Sequence, residues 1–424
     1  MGGGKLRFMI VFPFLYFSTL LAYILYKKKV FEVSAYLVSL YAFTSFFSIL
    51  IDIKHLRSFD TIKYDIGVTP TLLYCFLLTL SIWPFYRFDS QKIMSIKLKG
   101  KKLFDYIVYF YFICFLIILI TFYTAIIKIL NSDLGQLRLA LSRGESINDV
   151  NISGHPIIII ANIFGGYSLI MLLFYFYSVC FLKRKKVFNT ILFLSSLSMI
   201  LIGIIGVDRS KVIYWMITYG LMIVLFWRKM EKEQHRNILI SSLIILSLVI
   251  TYFLMLTFSR FGERDTGSTG SLISYSGQSF INFCYFFDEV NFRDFTLQRI
   301  FPLFYRLFIN NGIKNASDLN AIISLQTHTS IGVFSTFIGD IMVASGRLVG
   351  ILYCFIFYFV TTSSISTSKN KSNIYFHHLL LIFCFITVPM LGIFVYFYSD
   401  FSRTIPLLCF LFYYVYLRFK KKPV

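Results

Sequence analysis

Charge is scarce in this chain of 424 residues. Asp, Glu, Lys and Arg together make 14% of it, against about 25% in an ordinary soluble domain. Acidic residues are the scarcer half, with 20 Asp+Glu against 41 Lys+Arg and a formal net charge of +21. With 57% hydrophobic residues and so little charge, a water-soluble core cannot hide the apolar surface, and the bilayer must serve as solvent. On a soluble protein +21 would suggest nucleic acid. Here the basic residues fall in short loops between apolar runs, the positive-inside arrangement, so no nucleic-acid partner is expected.

Several chemistries lack their motif. There is no Walker A, HExxH or GxSxG, which leaves ATP-driven transport and metallopeptidase activity unsupported. No βαβ pattern marks a soluble nucleotide-sugar domain. The seven cysteines form no CxxC or Cys/His spacing, so no metal or other cofactor is expected. Six of them lie in apolar runs and Cys284 in a long loop; all read as small buried hydrophobes. Internal repeats and low-complexity tracts are absent. The sequons at Asn151 and Asn315 matter only in a eukaryotic secretory pathway.

What the chain has is apolar runs. About eleven reach the length of a span, at 6–26, 31–52, 67–86, 104–130, 154–181, 187–206, 212–227, 238–257, 345–365, 375–398 and 402–417. The first is too long for a signal h-region and is kept as a span. Basic clusters at Lys27–Lys29, Arg87–Lys102, Lys183–Lys186, Arg228–Arg236, Lys369–Lys371 and Arg418–Lys422 mark the cytoplasmic loops. The reading is an all-α, polytopic helical bundle of 10–12 spans, one integral membrane domain over 1–424, with outer loops at 131–153 and 258–344. Residues 258–278, rich in Gly, Ser and charge, are expected as a mobile loop. Pro302 is expected to open a short helix, and residues 310–312 to turn. The 31-residue apolar run 331–361 would be roughly 46 Å long as one helix, well over the ~30 Å hydrocarbon core. It should therefore break near Gly346, with 331–344 re-entering or lying along the outer surface. Aromatic runs such as Phe110–Phe115 and Tyr413-Tyr414 are expected to face lipid, and His377 and His378 to be interfacial.

The two cations are sorted by side. The cytoplasmic segments hold 18 Lys and 5 Arg; elsewhere the ratio inverts to 12 Arg and 6 Lys. Topology needs positive charge, which either residue supplies. Arg adds a planar fork that grips phosphate or carboxylate in bidentate fashion. An anionic, phosphorylated substrate on the outer side follows from this pattern.

Five constellations could carry chemistry. Arg143, with Arg138 before it and Gly154 eleven positions on, lies in the first outer loop. The turn Gly206–Lys211 places Arg209 before a helix N-terminus, which favours an anion; a local pair with Asp208 is the structural alternative. Arg260, Glu263 and Arg264 combine two clamps with an acid/base group, or form a solvated charge run. His328 suits general-base work near neutrality or a structural hydrogen bond. Asp340 and Arg347 would share one helical face and pair, and ionisable groups at membrane depth are functional by default.

Together, Gly206 to Arg209, the Arg143 loop before Gly165-Gly166, and the sequence His328-Thr329…Gly332…Thr336…Gly339-Asp340…Gly346 resemble the Wzy-type polymerases of O-antigen and capsule repeat units. The likeness covers roughly residues 130–350 and the overall layout. Of the two Arg–ten residues–Gly patterns emphasised in that family, the first loop has one (Arg143, Gly154). In the second loop none of Arg260, Arg264, Arg293, Arg299 or Arg306 has Gly eleven positions on. The resemblance implies a GT-C-like fold and a metal- and nucleotide-independent glycosyltransferase in the bacterial cytoplasmic membrane, its active site facing outward. Its substrates would be polyprenyl-pyrophosphate-linked oligosaccharides, its partners membrane lipids and a chain-length regulator protein. Fixed cations for the diphosphate would come from Arg143, Arg209, Arg260, Arg264 and Arg347, and the base from His328, Glu263 or Asp340. An O-antigen ligase or a flippase for the same lipid-linked sugar remain the alternatives, with a membrane O-acetyltransferase behind them.

Overall fold

The computed structural model describes residues 3–90, 92–130, 155–236, 267–290, 296–309, 316–366 and 373–420, with scattered positions between 238 and 255. The fold is all-α, with two three-residue strands among the described residues, at Ser95–Lys97 and Asn373–Tyr375. Seven helices among the described residues are long and apolar enough to cross a membrane: Phe8–Lys28, Val33–Ile53, Val68–Tyr86, Lys101–Thr121, Lys186–Ile205, Arg209–Lys229 and Arg347–Ser366. The pair Pro156–Gly165 and Ile170–Leu182, bent by 65°, makes an eighth if it is one broken span. The chain is thus built as a multi-pass membrane protein. The expected run 238–257 and the loop 131–153 fall wholly or partly outside the described residues.

The chain divides into two compact units. The first comprises Met1–Met94, Thr269–Ile374 and His378–Leu411. Here the Val33–Ile53 helix buries Tyr41 and Ser48 and the Val68–Tyr86 helix buries Tyr74 and Leu78. The helix Gly267–Asp288 runs through most of the segment expected as a mobile loop, from Gly267 onward. Its Gly and Ser residues act as packing surface. Gly277 lies against the backbone of Phe47 and Ser48, and the Ser48 hydroxyl donates to the Gly277 carbonyl at 2.5 Å. Small residues let helix backbones approach closely, so the composition that reads as a linker in water reads as a crossing point here. Cys284, placed in the long outer loop 258–344 by sequence, is buried on this helix. Among the described residues all cysteines are free thiols, and only Cys409 is exposed.

The long apolar run of this unit breaks where its length required. Helix Thr336–Ser345 ends at Gly346, whose φ of +90° suits Gly alone, and helix Arg347–Ser366 follows. Pro302 starts the helix Pro302–Phe308. The expected span 375–398 stops at Leu391. The segment beyond it is used as a cap: the Phe394 carbonyl accepts from Ser335 N–H (3.0 Å) and Thr336 N–H (2.9 Å), and the Gly392 carbonyl from Phe337 N–H (2.8 Å). These bonds satisfy orphan donors at the start of helix Thr336–Ser345.

The second unit comprises Ser95–Ser268, Tyr375–His377 and Phe412–Val424. Its expected span 104–130 is two helices, Lys101–Thr121 and Tyr123–Leu130. The aromatic runs are not simply lipid-facing. Phe110 is exposed, yet Tyr111 and Phe115 are buried, as is Tyr413. Phe104, Phe174, Tyr177 and Phe376 form a cluster with ring centroids 4.4–6.0 Å apart. His377, expected at the interface, is buried and stacks on Tyr375 at 5.4 Å. Helical periodicity turns part of any aromatic run inward, and edge-to-face packing rewards it.

Asp208 caps helix Arg209–Phe226, accepting from Ser210 N–H at 2.9 Å and from the Ser210 hydroxyl at 2.7 Å. Asp208→Ala is expected to lower stability by about 1 kcal/mol, read as a shift of the unfolding midpoint in detergent. An unchanged midpoint would remove the cap from the account.

Candidate functional site

The first unit contains a buried polar node. Its scaffold is a small core of Phe286, Val290, Leu319, Ile323, Ile331, Val343 and Ala344, which ties together the end of helix Gly267–Asp288, helix Ala316–Thr327 and helix Thr336–Ser345. A connecting segment is clasped to the last of these. Thr296 N–H donates to the Ala344 carbonyl at 3.2 Å, and the Ser345 hydroxyl donates to the Thr296 carbonyl at 2.6 Å. Inside that segment, Gln298 N–H donates to the Thr296 hydroxyl and Leu297 N–H to the Tyr305 hydroxyl. This bracing delivers Arg299 to Asp340.

Arg299 Nη1 stands 3.2 Å from Asp340 Oδ1, with side chains 4% and 5% exposed. The other Arg299 terminal nitrogen donates to Asn320 Oδ1. Asp340 Oδ2 also accepts from Tyr396 N–H at 3.1 Å, and the Tyr353 hydroxyl donates to that of Tyr396 at 3.2 Å. Two buried atoms of the node have no hydrogen-bond partner: Arg299 Nε and Gln298 Oε1. Buried polar atoms are normally paired, so the node has hydrogen-bonding capacity to spare. Helix Thr336–Ser345 is not among the seven candidate spans. Burial raises the Asp340 carboxyl above the ordinary carboxylate range, while the Arg299 charge and the Tyr396 N–H pull it back down. A carboxyl whose hold on its proton is strengthened by burial, with a guanidinium beside it, can take up a proton and stabilise an anion within a few ångströms.

Asp340 and Arg347 do not pair. The break at Gly346 removes the shared helical face, and Asp340 has Arg299 instead. Arg347 is exposed, donates to the Asp288 carbonyl at 3.1 Å and lies 5.0 Å from the Phe287 ring centroid. The Asp288 carboxylate accepts from the Tyr64 hydroxyl at 2.6 Å. Arg347 is therefore a guanidinium anchored through one nitrogen and presented at the surface, which suits an incoming anion.

His328 follows helix Ala316–Thr327, exposed, with φ of +53°. Left-handed backbone at a non-Gly residue clusters at functional and turn positions. Arg209 belongs to the second unit, where it is buried at the start of its helix. The anion that a helix N-terminus attracts is there the protein's own Asp208 carboxylate. Arg143, Arg260, Glu263 and Arg264 lie outside the described residues, as do Gly154 and the expected turn at 310–312.

Arg299 and Asn320 carry the node, yet nothing in local spacing singles them out. Arg299 pairs with a residue 41 positions away, so the only sequence signal is an Arg within an apolar, aromatic stretch. Among the described residues no group of three or more His, Cys, Asp or Glu could hold a metal ion. No protein-family model, curated protein or solved structure matches this chain.

Proposed function

We propose that this chain is a membrane glycosyltransferase that polymerises polyprenyl-pyrophosphate-linked oligosaccharide repeat units on the outer face of a bacterial cytoplasmic membrane. The supporting observation is the buried Arg299–Asp340 pair, set in the late segment that also presents Arg347 and His328. A hydroxyl of the incoming lipid-linked repeat attacks the anomeric carbon of the growing chain. The new C–O bond forms as the bond to the diphosphate breaks, and the diphosphate leaves with the electron pair. Asp340 or His328 takes the hydroxyl proton. Guanidinium groups neutralise the leaving diphosphate; Arg347 fits that role by its exposure, and Arg143, Arg260 and Arg264 are proposed with it on the strength of the resemblance.

The test uses a cell that makes the polymer and depends on this chain. Arg347→Ala is expected to slow polymerisation by about 10²-fold, as loss of one charge-stabilising donor does elsewhere. Arg347→Lys, which keeps the charge and loses the fork, should recover only part. Single-repeat glycolipid should accumulate. Accumulation of unattached lipid-linked polymer would indicate a ligase, and of untransported repeat units a flippase. Unchanged chain length for Arg347 and Arg143 variants alike would refute the diphosphate clamp.

A further inference from the structure

A cavity of about 650 Å³ opens in the first unit, lined by residues of helix Gly3–Lys28, the end of helix Val33–Ile53 and the connection after it. None of the node residues lines it. Its size lies within the range of small-molecule sites. Much of the wall is branched aliphatic, Ile10, Ile49 and Ile66 among them, and Ile53 and Ile62 are lining residues that are also exposed. An apolar tail can therefore leave through the mouth. The cavity sits at the end of Val33–Ile53 opposite to the Lys27–Lys29 cluster, at one edge of the candidate span.

Four polar side chains share the lining: Asp52, His55, Arg57 and Asp65. Both terminal nitrogens of Arg57 are already committed. Its Nη2 lies 2.6 Å from Asp52 Oδ1 and its Nη1 donates to the Tyr64 carbonyl at 2.7 Å. That pair is neutral as a unit, so the formal charge left over is the carboxylate of Asp65. The frame is built in advance of any ligand. His55 adopts φ of +55°, its N–H donates to the Asp52 carbonyl at 3.2 Å, and Leu56 N–H donates to the Ile51 carbonyl at 2.9 Å. A cavity with a net negative lining disfavours a diphosphate and favours an ammonium, whose three N–H donors match carboxylate acceptors. Its aliphatic wall disfavours a free polyamine or a hydrated metal ion. An amphiphile with a cationic amine satisfies both.

We propose that this cavity holds an amine-bearing phospholipid, its ammonium on Asp65 and its upper chains on the isoleucine wall. Asp52 is a second acceptor at the head group, and His55 is the donor available to the phosphate. The assignment is independent of the polymerase reading, since it concerns a different site and a different ligand.

The experiment uses the purified full-length chain in micelles containing equal amounts of phosphatidylethanolamine and phosphatidylglycerol, with retained lipid identified by native mass spectrometry. One phosphatidylethanolamine per chain is expected, in preference to phosphatidylglycerol by about fivefold or more. Asp65→Asn should abolish the preference, and Ile62→Trp, at the exposed mouth, should abolish retention. Both positions are exposed, and an unchanged melting temperature verifies folding. Equal retention of the two lipids by the native chain, or a preference that survives Asp65→Asn, would overturn the proposal.

Discussion

Arg299→Ala is expected to cost about 3–5 kcal/mol of folding stability, because it leaves the Asp340 carboxylate buried without its counter-charge. The comparison that isolates the effect is the apolar double replacement, Arg299→Met with Asp340→Leu. Exchanging a whole buried pair for hydrophobic side chains is often neutral or stabilising, so the double variant should be far closer to the native midpoint than the single one. Acid should partly rescue the single variant. Burial already raises the Asp340 carboxyl, and Arg299 is what opposes that rise. Without Arg299 the folded-state pKa stands further above the unfolded one. A carboxyl raised in this way contributes stability in its protonated form, fully present below the unfolded pKa and lost as pH rises through the folded pKa. The deficit of Arg299→Ala should therefore shrink on going from pH 8 to pH 5. Unfolding in detergent at the two pH values measures this, and a loss under 1 kcal/mol at pH 8 would mean the pair is not the anchor described. Under the polymerase reading proposed above, a double variant that folds but makes no polymer would assign the pair to chemistry.

The second large effect is steric. A Cβ at Gly277 would lie 2.3 Å from Phe47 C and 2.4 Å from Ser48 N, both backbone atoms. Neither can swing aside, so Gly277→Ala must push helix Gly267–Asp288 away from helix Val33–Ile53 and stretch the Ser48 to Gly277 hydrogen bond. Overpacking of this kind costs typically 1–3 kcal/mol and occasionally more; at a backbone contact the upper end is expected. Gly350 provides the control. There an added Cβ would meet Met342 Cγ at 2.3 Å, but a thioether chain has three rotatable bonds and adapts. Gly350→Ala should be the milder of the two in the same unfolding assay. The reverse order would show that the Gly277 crossing is looser than described.

The two effects illustrate why sequence reading reached some features and missed others. The break at Gly346 was legible because it follows from length: a 31-residue apolar run exceeds the hydrocarbon thickness, and Gly is where a helix can stop. The helix start at Pro302 was legible for an equally local reason. The Gly267–Asp288 helix was not. Gly and Ser signal a linker in water and a close crossing between apolar helices, and which applies depends on a partner surface, here Phe47 and Ser48, more than 200 residues away. The inward turn of Tyr111 and Tyr413 was hidden for a related reason. Hydropathy says that a side chain avoids water, without saying whether lipid or protein receives it.

By itself the sequence determined that this is an all-α, membrane-embedded chain, because scarce charge and long apolar runs leave the bilayer as the only adequate solvent. It also determined that ionisable residues near the apolar segments would be costly, and so would be paired or exposed for a purpose. Only the tertiary structure decided which. Asp340 pairs with Arg299 across 41 positions while Arg347 is presented at the surface, because one left-handed Gly splits the helix that would have joined Asp340 to Arg347. Coulombic partnership in a low-dielectric interior depends on ångströms in space, and helical spacing along the chain stops predicting those ångströms at the first break.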